Sequence, residues 1–223
     1  MACLLITGGA GFIGSHTGVV LLDAGHDLIV LDNFSNSSLR AVERVAELAE
    51  VPLNQGAPAK EVPDLSGRLT LVEGDLRDAA GLEILFSHAA RSGRPIDAVI
   101  HFAGLKAVGE SVAHPLRYWD VNVAGSRTLL AAMETHHCRT LVFSSSATLY
   151  GRPEQVPIPE TAPIQPINPY GASKAAVEAL LADVAGCSGL TDPVQSSPNG
   201  WRIARLRYFN PVGAHPSGRI GED

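Results

Sequence analysis

Cysteine is scarce in this 223-residue chain. Cys3, Cys138 and Cys187 are scattered, odd in number and without the paired spacing of a metal-ligand set. They read as reduced, small apolar fillers of a cytoplasmic protein, so neither a disulfide framework nor a metal site is expected. Positive charge is also short. Seventeen Lys and Arg against 23 Asp and Glu leave a formal net charge of −6, with no basic run, which removes the electrostatic footprint that nucleic acid requires. Long apolar runs are missing too. The longest lies around Val19 to Leu22, far below the ~18 residues that cross a bilayer, so no membrane span is expected. No basic segment precedes Ala2-Cys3-Leu4-Leu5-Ile6-Thr7, which reads as a strand and not as a signal peptide. No internal repeat is visible.

What is present is the composition of a packed globular protein, 45% apolar and 18% charged. The length allows one large domain or one domain with part of another. Six short segments rich in aliphatic or β-branched residues read as strands: Cys3–Thr7, Asp27–Asp32, Leu69–Glu73, Asp97–Phe102, Thr140–Ser144 and Trp201–Arg207. Between them run helical patterns over Phe12–Ala24, Leu39–Ala49, Ala79–Ala90, Leu116–Thr135 and Tyr170–Val184. Such alternation predicts an α/β fold, a doubly wound parallel (Rossmann) sheet with helices on both faces. Two stretches carrying Pro, Gly, Asn or Ser, Pro52–Gly67 and Gly186–Gly200, read as surface excursions without chemistry.

Gly9, Gly11 and Gly14 fit G-x-G-x-x-G between a strand and a helix. Asp32 ends the next strand, 18 positions past the last glycine. Glycines there let backbone N–H groups reach a pyrophosphate at a helix N-terminus. A carboxylate at Asp32 accepts from a ribose and repels a 2′-phosphate, so NAD is favoured over NADP. Asp75 follows the third strand and has two readings, a contact to adenine or a helix cap. His101, closing the fourth strand, reads as a satisfied, semi-buried histidine.

Tyr170 and Lys174 are four residues apart, on one face of a helix. An ammonium near the phenol would draw the tyrosine pKa from about 10 toward neutrality, the range of a general base. Ser144-Ser145-Ser146 end the fifth strand, where a nicotinamide should lie. Together they suggest a hydride-transfer set. Tyr170 takes a hydroxyl proton, Ser146 hydrogen-bonds the reacting oxygen, and Lys174 holds the ribose and lowers the tyrosine pKa.

Thr7-Gly8-x-x-Gly11-x-x-Gly14 with Tyr170-x-x-x-Lys174 resembles the extended short-chain dehydrogenase/reductase family. Longer strings resemble its UDP-glucose 4-epimerase branch: Gly11-Phe12-Ile13-Gly14-Ser15-His16-Thr17, Leu31-Asp32-Asn33, His101 to Ser111, Ser144 to Thr148, and Arg207 to His215. The resemblance implies an NAD site lined by Gly8, Gly11, Phe12, Ile13, Gly14, Asp32, Asn33, Asp75, Leu76, Phe102, Ala103, Gly104, Lys106, Asn122, Tyr170, Lys174 and Tyr208. It implies a UDP-hexose contacted by Lys106, Ser146, Tyr170 and Asn210, and a 4-keto sugar formed and reduced again by one tightly held NAD. It further implies a homodimer built on the helix pair Leu116–Thr135 and Tyr170–Val184. On this reading residues 1–207 are the NAD-binding domain and 208–223 begin a small C-terminal substrate domain that is mostly absent, so the chain is expected to be a truncated part. A 4,6-dehydratase of the same family would need acidic residues after the fifth strand, where Ser146, Ala147 and Thr148 stand. An NAD-binding fragment without activity is the other alternative.

Overall fold

The computed structural model describes residues 1–55, 64–186, 194–196 and 200–222. Its frame is one eight-stranded sheet with the strands β1 (Cys3–Thr7), β2 (Asp27–Asp32), β3 (Leu53–Gln55), β4 (Leu69–Glu73), β5 (Ala98–His101), β6 (Thr140–Ser146), β7 (Val194–Ser196) and β8 (Arg202–Tyr208). Their spatial order is β3-β4-β2-β1-β5-β6-β8-β7, and every pairing is parallel except that of β7 with β8. The order reverses between β1 and β5. Neighbouring connections there leave the sheet in opposite directions and open a crevice at the strand carboxyl ends.

The six expected strands are all present, the first three with the same bounds. Two more are found inside the stretches read as surface excursions. Both β3 and β7 are three residues long and lie at the sheet edges, where pairing with β4 or β8, and not a local pattern, makes them strands. Cys187, the third cysteine, lies outside the described residues.

Alternation along each strand sends side chains to two apolar layers. Leu5, Ile29, Val99, Leu141 and Phe143 pack with Leu85, Leu129, Met133, Val177 and Leu181 from α3 (Ala79–Arg91), α6 (Gly125–Thr135) and α7 (Pro169–Ala185). Leu4, Ile6, Leu28, Val30 and Leu69 pack on the other face with Val19, Leu22, Val42 and Val45 from α1 (Phe12–Asp23) and α2 (Leu39–Leu48).

The pattern over Leu116–Thr135 is not one uniform helix. It divides into α5 (Pro115–Tyr118), a π-helical segment Trp119–Ala124, and α6, preceded by an unanticipated short helix α4 (Val108–Ala113). The wide turn carries Asn122 inward, and side-chain bonds to neighbouring elements hold it there. Helix α7 has local punctuation at both ends. Asn168 Oδ1 accepts from the Gly171 amide at 2.8 Å, Pro169 occupies the first turn, and Gly186 closes the helix at φ +68°.

Candidate active site

The crevice is a cleft of about 560 Å³. Every residue that the sequence reading assigned to the nucleotide or the sugar lines it except Asn122 and Gly9, the latter packed against Val30 and Ile6 behind the turn.

At one end lies the glycine turn. Gly8 holds φ +68°, and a β-carbon there would sit 2.6 Å from the Ala103 amide nitrogen, so this turn tolerates only glycine. A β-carbon on Gly14 would come within 2.5 Å of the Gly8 carbonyl, so α1 can lie this close to the turn only without one. No side chain caps α1 and its first turn has no acidic residue. Its uncapped amides therefore face the cleft at Phe12, Ile13 and Gly14, with the positive end of the helix dipole behind them.

Asp32 is almost buried. Its Oδ2 accepts from the Ala10 amide at 3.0 Å, and its Oδ1 accepts from the Phe34 amide at 3.0 Å and from Ser37 Oγ at 2.8 Å. These bonds fix the carboxylate in place and fill Oδ1, while Oδ2 retains acceptor capacity. Ser35, Asn36 and Ser37 also line this end and were not singled out from sequence, because a serine-rich loop carries no spacing signal. Asp75 does not cap α3; Asp78 does, accepting from the Gly81 amide. Instead Asp75 accepts from Asn33 Nδ2 at 2.9 Å and pairs with Arg77, which reaches on to Asp120. The guanidinium holds the Asp75 carboxyl far below the usual carboxylate range.

At the other end the sheet presents Ser144, Ser145 and Ser146 to α7. Ser146 Oγ bonds Thr148 Oγ1 at 3.0 Å and accepts from the Thr148 amide, which starts a 3-10 turn over Ala147–Tyr150. Tyr170 is half-buried. Burial raises its pKa, while a hydrogen bond with Ser146 and the charge of Lys106 pull it down. This corrects the expectation that Lys174 depresses the phenol toward neutrality. The Lys174 ammonium donates to the Ser144 carbonyl at 2.8 Å and lies 4.9 Å from the centroid of Phe143. Burial brings its own pKa down to about 8. Spacing of four residues put both groups on one face of α7 but could not tell which partner the long lysine chain would find.

Two further residues depart from expectation. Asn122 is buried away from the cleft. It accepts from the Leu105 amide at 2.8 Å and donates to the Leu105 carbonyl at 3.1 Å and to Ser173 Oγ at 3.0 Å. It fastens the Gly104-Leu105 loop to α7, and no amide hydrogen is left to offer a nucleotide. His101 is fully and not partly buried, bonded to Thr7 Oγ1 at 2.7 Å and to Ser126 Oγ at 2.8 Å, with its pKa lowered to about 3 by burial and by Lys174. It is a neutral structural histidine, as its reading as a satisfied group required.

The segment after β8 crosses the cleft mouth. Asn210 lines it beside Tyr208 at the end of β8, Ile220 is buried against the α1/α2 layer, and Glu222 pairs with Lys106 at 3.0 Å. No group of His, Cys, Asp and Glu among the described residues is arranged to hold a metal.

A glycine turn under a helix N-terminus, a buried carboxylate at the end of β2 and a serine, tyrosine and lysine at the far end of the cleft are the features of a Rossmann-class crevice. Residues 4–222 match the NAD dependent epimerase/dehydratase family, and the chain belongs to it. It is 47% identical over 220 residues to the bifunctional UDP-glucose 4-epimerase and UDP-xylose 4-epimerase 1 of Pisum sativum, covering 99% of this chain and 55% of that protein. Identity to the UDP-glucose 4-epimerase of Bacillus subtilis is also 47%, with 56% of that protein covered. Among solved structures, UDP-glucose 4-epimerase from Bifidobacterium longum in complex with NAD+ and UDP superposes with a TM-score of 0.81 at 44% identity, over all of this chain and 57% of that one. The chain thus spans little more than half the length of the curated relatives it matches.

Proposed function

We propose that this chain carries the NAD-binding and proton-transfer half of a UDP-glucose 4-epimerase, which interconverts UDP-galactose and UDP-glucose through a 4-keto sugar. The observation that carries the reading is the convergence of the glycine turn, Asp32, Ser146, Tyr170, Lys174 and Asn210 on one cleft. NAD, when bound, supplies a reversible hydride acceptor. The uncapped amides of Phe12, Ile13 and Gly14 suit its pyrophosphate, and Asp32, with no arginine beside it, suits an unphosphorylated ribose. Asn33, Asp75 and Leu76 border the adenine end. Gly8, Gly11, Phe102, Ala103, Gly104 and Tyr208 form the walls, while Asn122 supports one of them from behind.

At the reacting end Tyr170 accepts the proton of the sugar 4-hydroxyl and later returns it. Its raised pKa makes the phenolate a stronger base on the forward step and keeps the phenol protonated for the return. Lys106 and the Ser146 hydrogen bond favour the phenolate needed on the forward step. Ser146 holds the reacting oxygen, Lys174 steadies the ribose, and Lys106 and Asn210 meet the sugar nucleotide. The place of the dehydratase acids holds Ser146, Ala147 and Thr148, which favours epimerisation over elimination.

Residues 1–207 are read as the NAD-binding domain and 208–223 as the start of the part that meets the sugar. A homodimer is proposed through α7 and the neighbouring α4, α5 and π-helical turns. Val112, Leu116 and Trp119 are 63%, 82% and 42% exposed there, beside an outer face of α7 made of Ala172, Ala175, Ala176 and Ala179. A cytoplasmic setting fits the free thiols of Cys3 and Cys138, and no helix among the described residues is long and apolar enough to cross a membrane.

The test is incubation of the intact protein with UDP-galactose, assaying UDP-glucose and bound NAD in one sample. Conversion with NAD bound is the expected result; NAD bound without conversion overturns the epimerase reading.

A further inference from the structure

Glu178 has no exposed surface and no part in the chemistry described above, yet it lies one helical turn beyond Lys174 and two beyond Tyr170. The three form a stripe on the inner face of α7, and each meets one residue of the serine run at the end of β6. Tyr170 shares a hydrogen bond with Ser146, Lys174 donates to the Ser144 carbonyl, and Ser145 Oγ donates to Glu178. A fork from β8 closes the arrangement. Arg207 Nε donates to Glu178 Oε1 at 3.0 Å and Nη2 to Oε2 at 2.7 Å, while Nη1 donates to Tyr150 Oη at 2.6 Å and to the Glu160 carbonyl at 3.1 Å.

A buried carboxylate is costly unless fully paired, and an apolar residue of the same volume would serve packing alone as well or better. This one is paired by a bidentate guanidinium and a hydroxyl. We propose that Glu178, locked by Arg207, is a positioning residue for the reaction, fixing the serine run against α7 and acting as the counter-charge that keeps Lys174 an ammonium.

The surroundings of Lys174 support the assignment. From β5 it faces His101, which is neutral; from β6 the Phe143 ring and the Ser144 carbonyl; from the loop after β5 Gly104; from its own helix the carboxylate of Glu178. Glu178 is the one anion among these groups. Desolvation lowers the Lys174 pKa to about 8, and Glu178 opposes that fall. The ammonium is therefore poised just above neutrality, where loss of one neighbouring charge discharges it.

The inference rests on the epimerase reading for its meaning, but its test does not. In the intact protein the ε-methylene 13C resonance of Lys174, assigned with Lys174→Met, is titrated against pH. Glu178→Gln should move the Lys174 midpoint down by about one unit or more, the effect of removing an opposite charge at close range. The alkaline limb of the kcat/KM profile should move by the same amount. Arg207→Gln leaves Glu178 without its main partner and should move the Lys174 midpoint up. If Glu178→Gln does not fold, the upward shift in Arg207→Gln still tests the claim. Midpoints that stay within a few tenths of the parent in whichever variant folds, or shifts of the same sign in both, would overturn the proposal. A parent protein that fails to convert UDP-galactose while these opposite shifts appear would instead count against the epimerase reading.

Discussion

At the scale of single residues the site is governed by what burial does to charge. Tyr170 and Lys174 are moved in opposite directions by the same cause, since desolvation penalises the phenolate of one and the ammonium of the other. Replacing Tyr170 with Phe should leave NAD bound and lower turnover of the intact protein by at least ~100-fold, the lower end of what a general base contributes. Turnover and NAD content measured on the same preparation check this. Lys174 leaves a mark on stability as well. Below about pH 8 it is charged in both the folded and the unfolded chain, and the full cost of burying it is felt. Between about 8 and its ordinary 10.5 the folded protein has shed the proton while the unfolded chain keeps it, so the stability owed to this residue rises with pH. In cofactor-free protein, the stability of wild type relative to Lys174→Met should therefore improve by roughly 3 kcal/mol across that window. Denaturant melts at a series of pH values read the difference, which should be flat if the ammonium is not buried. The identities of these residues were legible in the sequence because a four-residue spacing on a helix is a local property. Their couplings were not. The charge of Lys106 acts on Tyr170 from the loop after β5, and a lysine side chain with four rotatable bonds chooses its acceptor from whatever the fold places nearby.

At the scale of elements the wide turn between α5 and α6 shows how a local irregularity is bound by distant contacts. Asn122 ties the loop after β5 to α7 through three hydrogen bonds, and Ser126, one helical turn later, donates to the Asn122 carbonyl and meets His101. Asn122→Ala should destabilise the protein by about 1–3 kcal/mol, because the Leu105 amide and carbonyl are then buried without partners. It should also weaken NAD binding through the displaced Gly104-Leu105 wall. Thermal melts and a binding titration check the two effects separately; a stable variant with unaltered affinity would show the turn to be indifferent to this side chain. The helical period over Leu116–Thr135 was readable, but the π-helical segment within it was not, since one inserted residue per turn is stabilised by partners far off in the chain. The same reasoning explains β3 and β7. Three residues with no alternating pattern become strands only when a neighbour offers a free edge.

For the whole molecule the sheet order opens one crevice at the carboxyl ends of β1, β2, β4, β5, β6 and β8, which with α7 collects cleft-lining residues from Gly8 to Asn210. Val112, Leu116 and Trp119 are exposed on the flank formed by the elements packed against α7. If this flank is the dimer face, Leu116→Glu should convert a dimer into monomers at micromolar concentration by placing a charge in an apolar contact. Sedimentation equilibrium reads the outcome, and a parent protein that is monomeric throughout would remove the helix pair as an interface. Several features follow from the sequence alone. Alternating strand and helix periods dictate the doubly wound sheet, the glycine spacing with Asp32 marks the proposed dinucleotide end, and Tyr170 with Lys174 marks the proposed reacting end. All of these are repeats or spacings within about 20 residues, and short-range geometry is enough to express them. Folding alone decided the partners: the charge of Lys106 acting on Tyr170, Asn122 turned inward to a wall, and Glu178 clamped by Arg207 near Lys174. Each joins residues from 17 to 64 positions apart, and whether such groups meet depends on strand order and helix crossing, which no local pattern encodes.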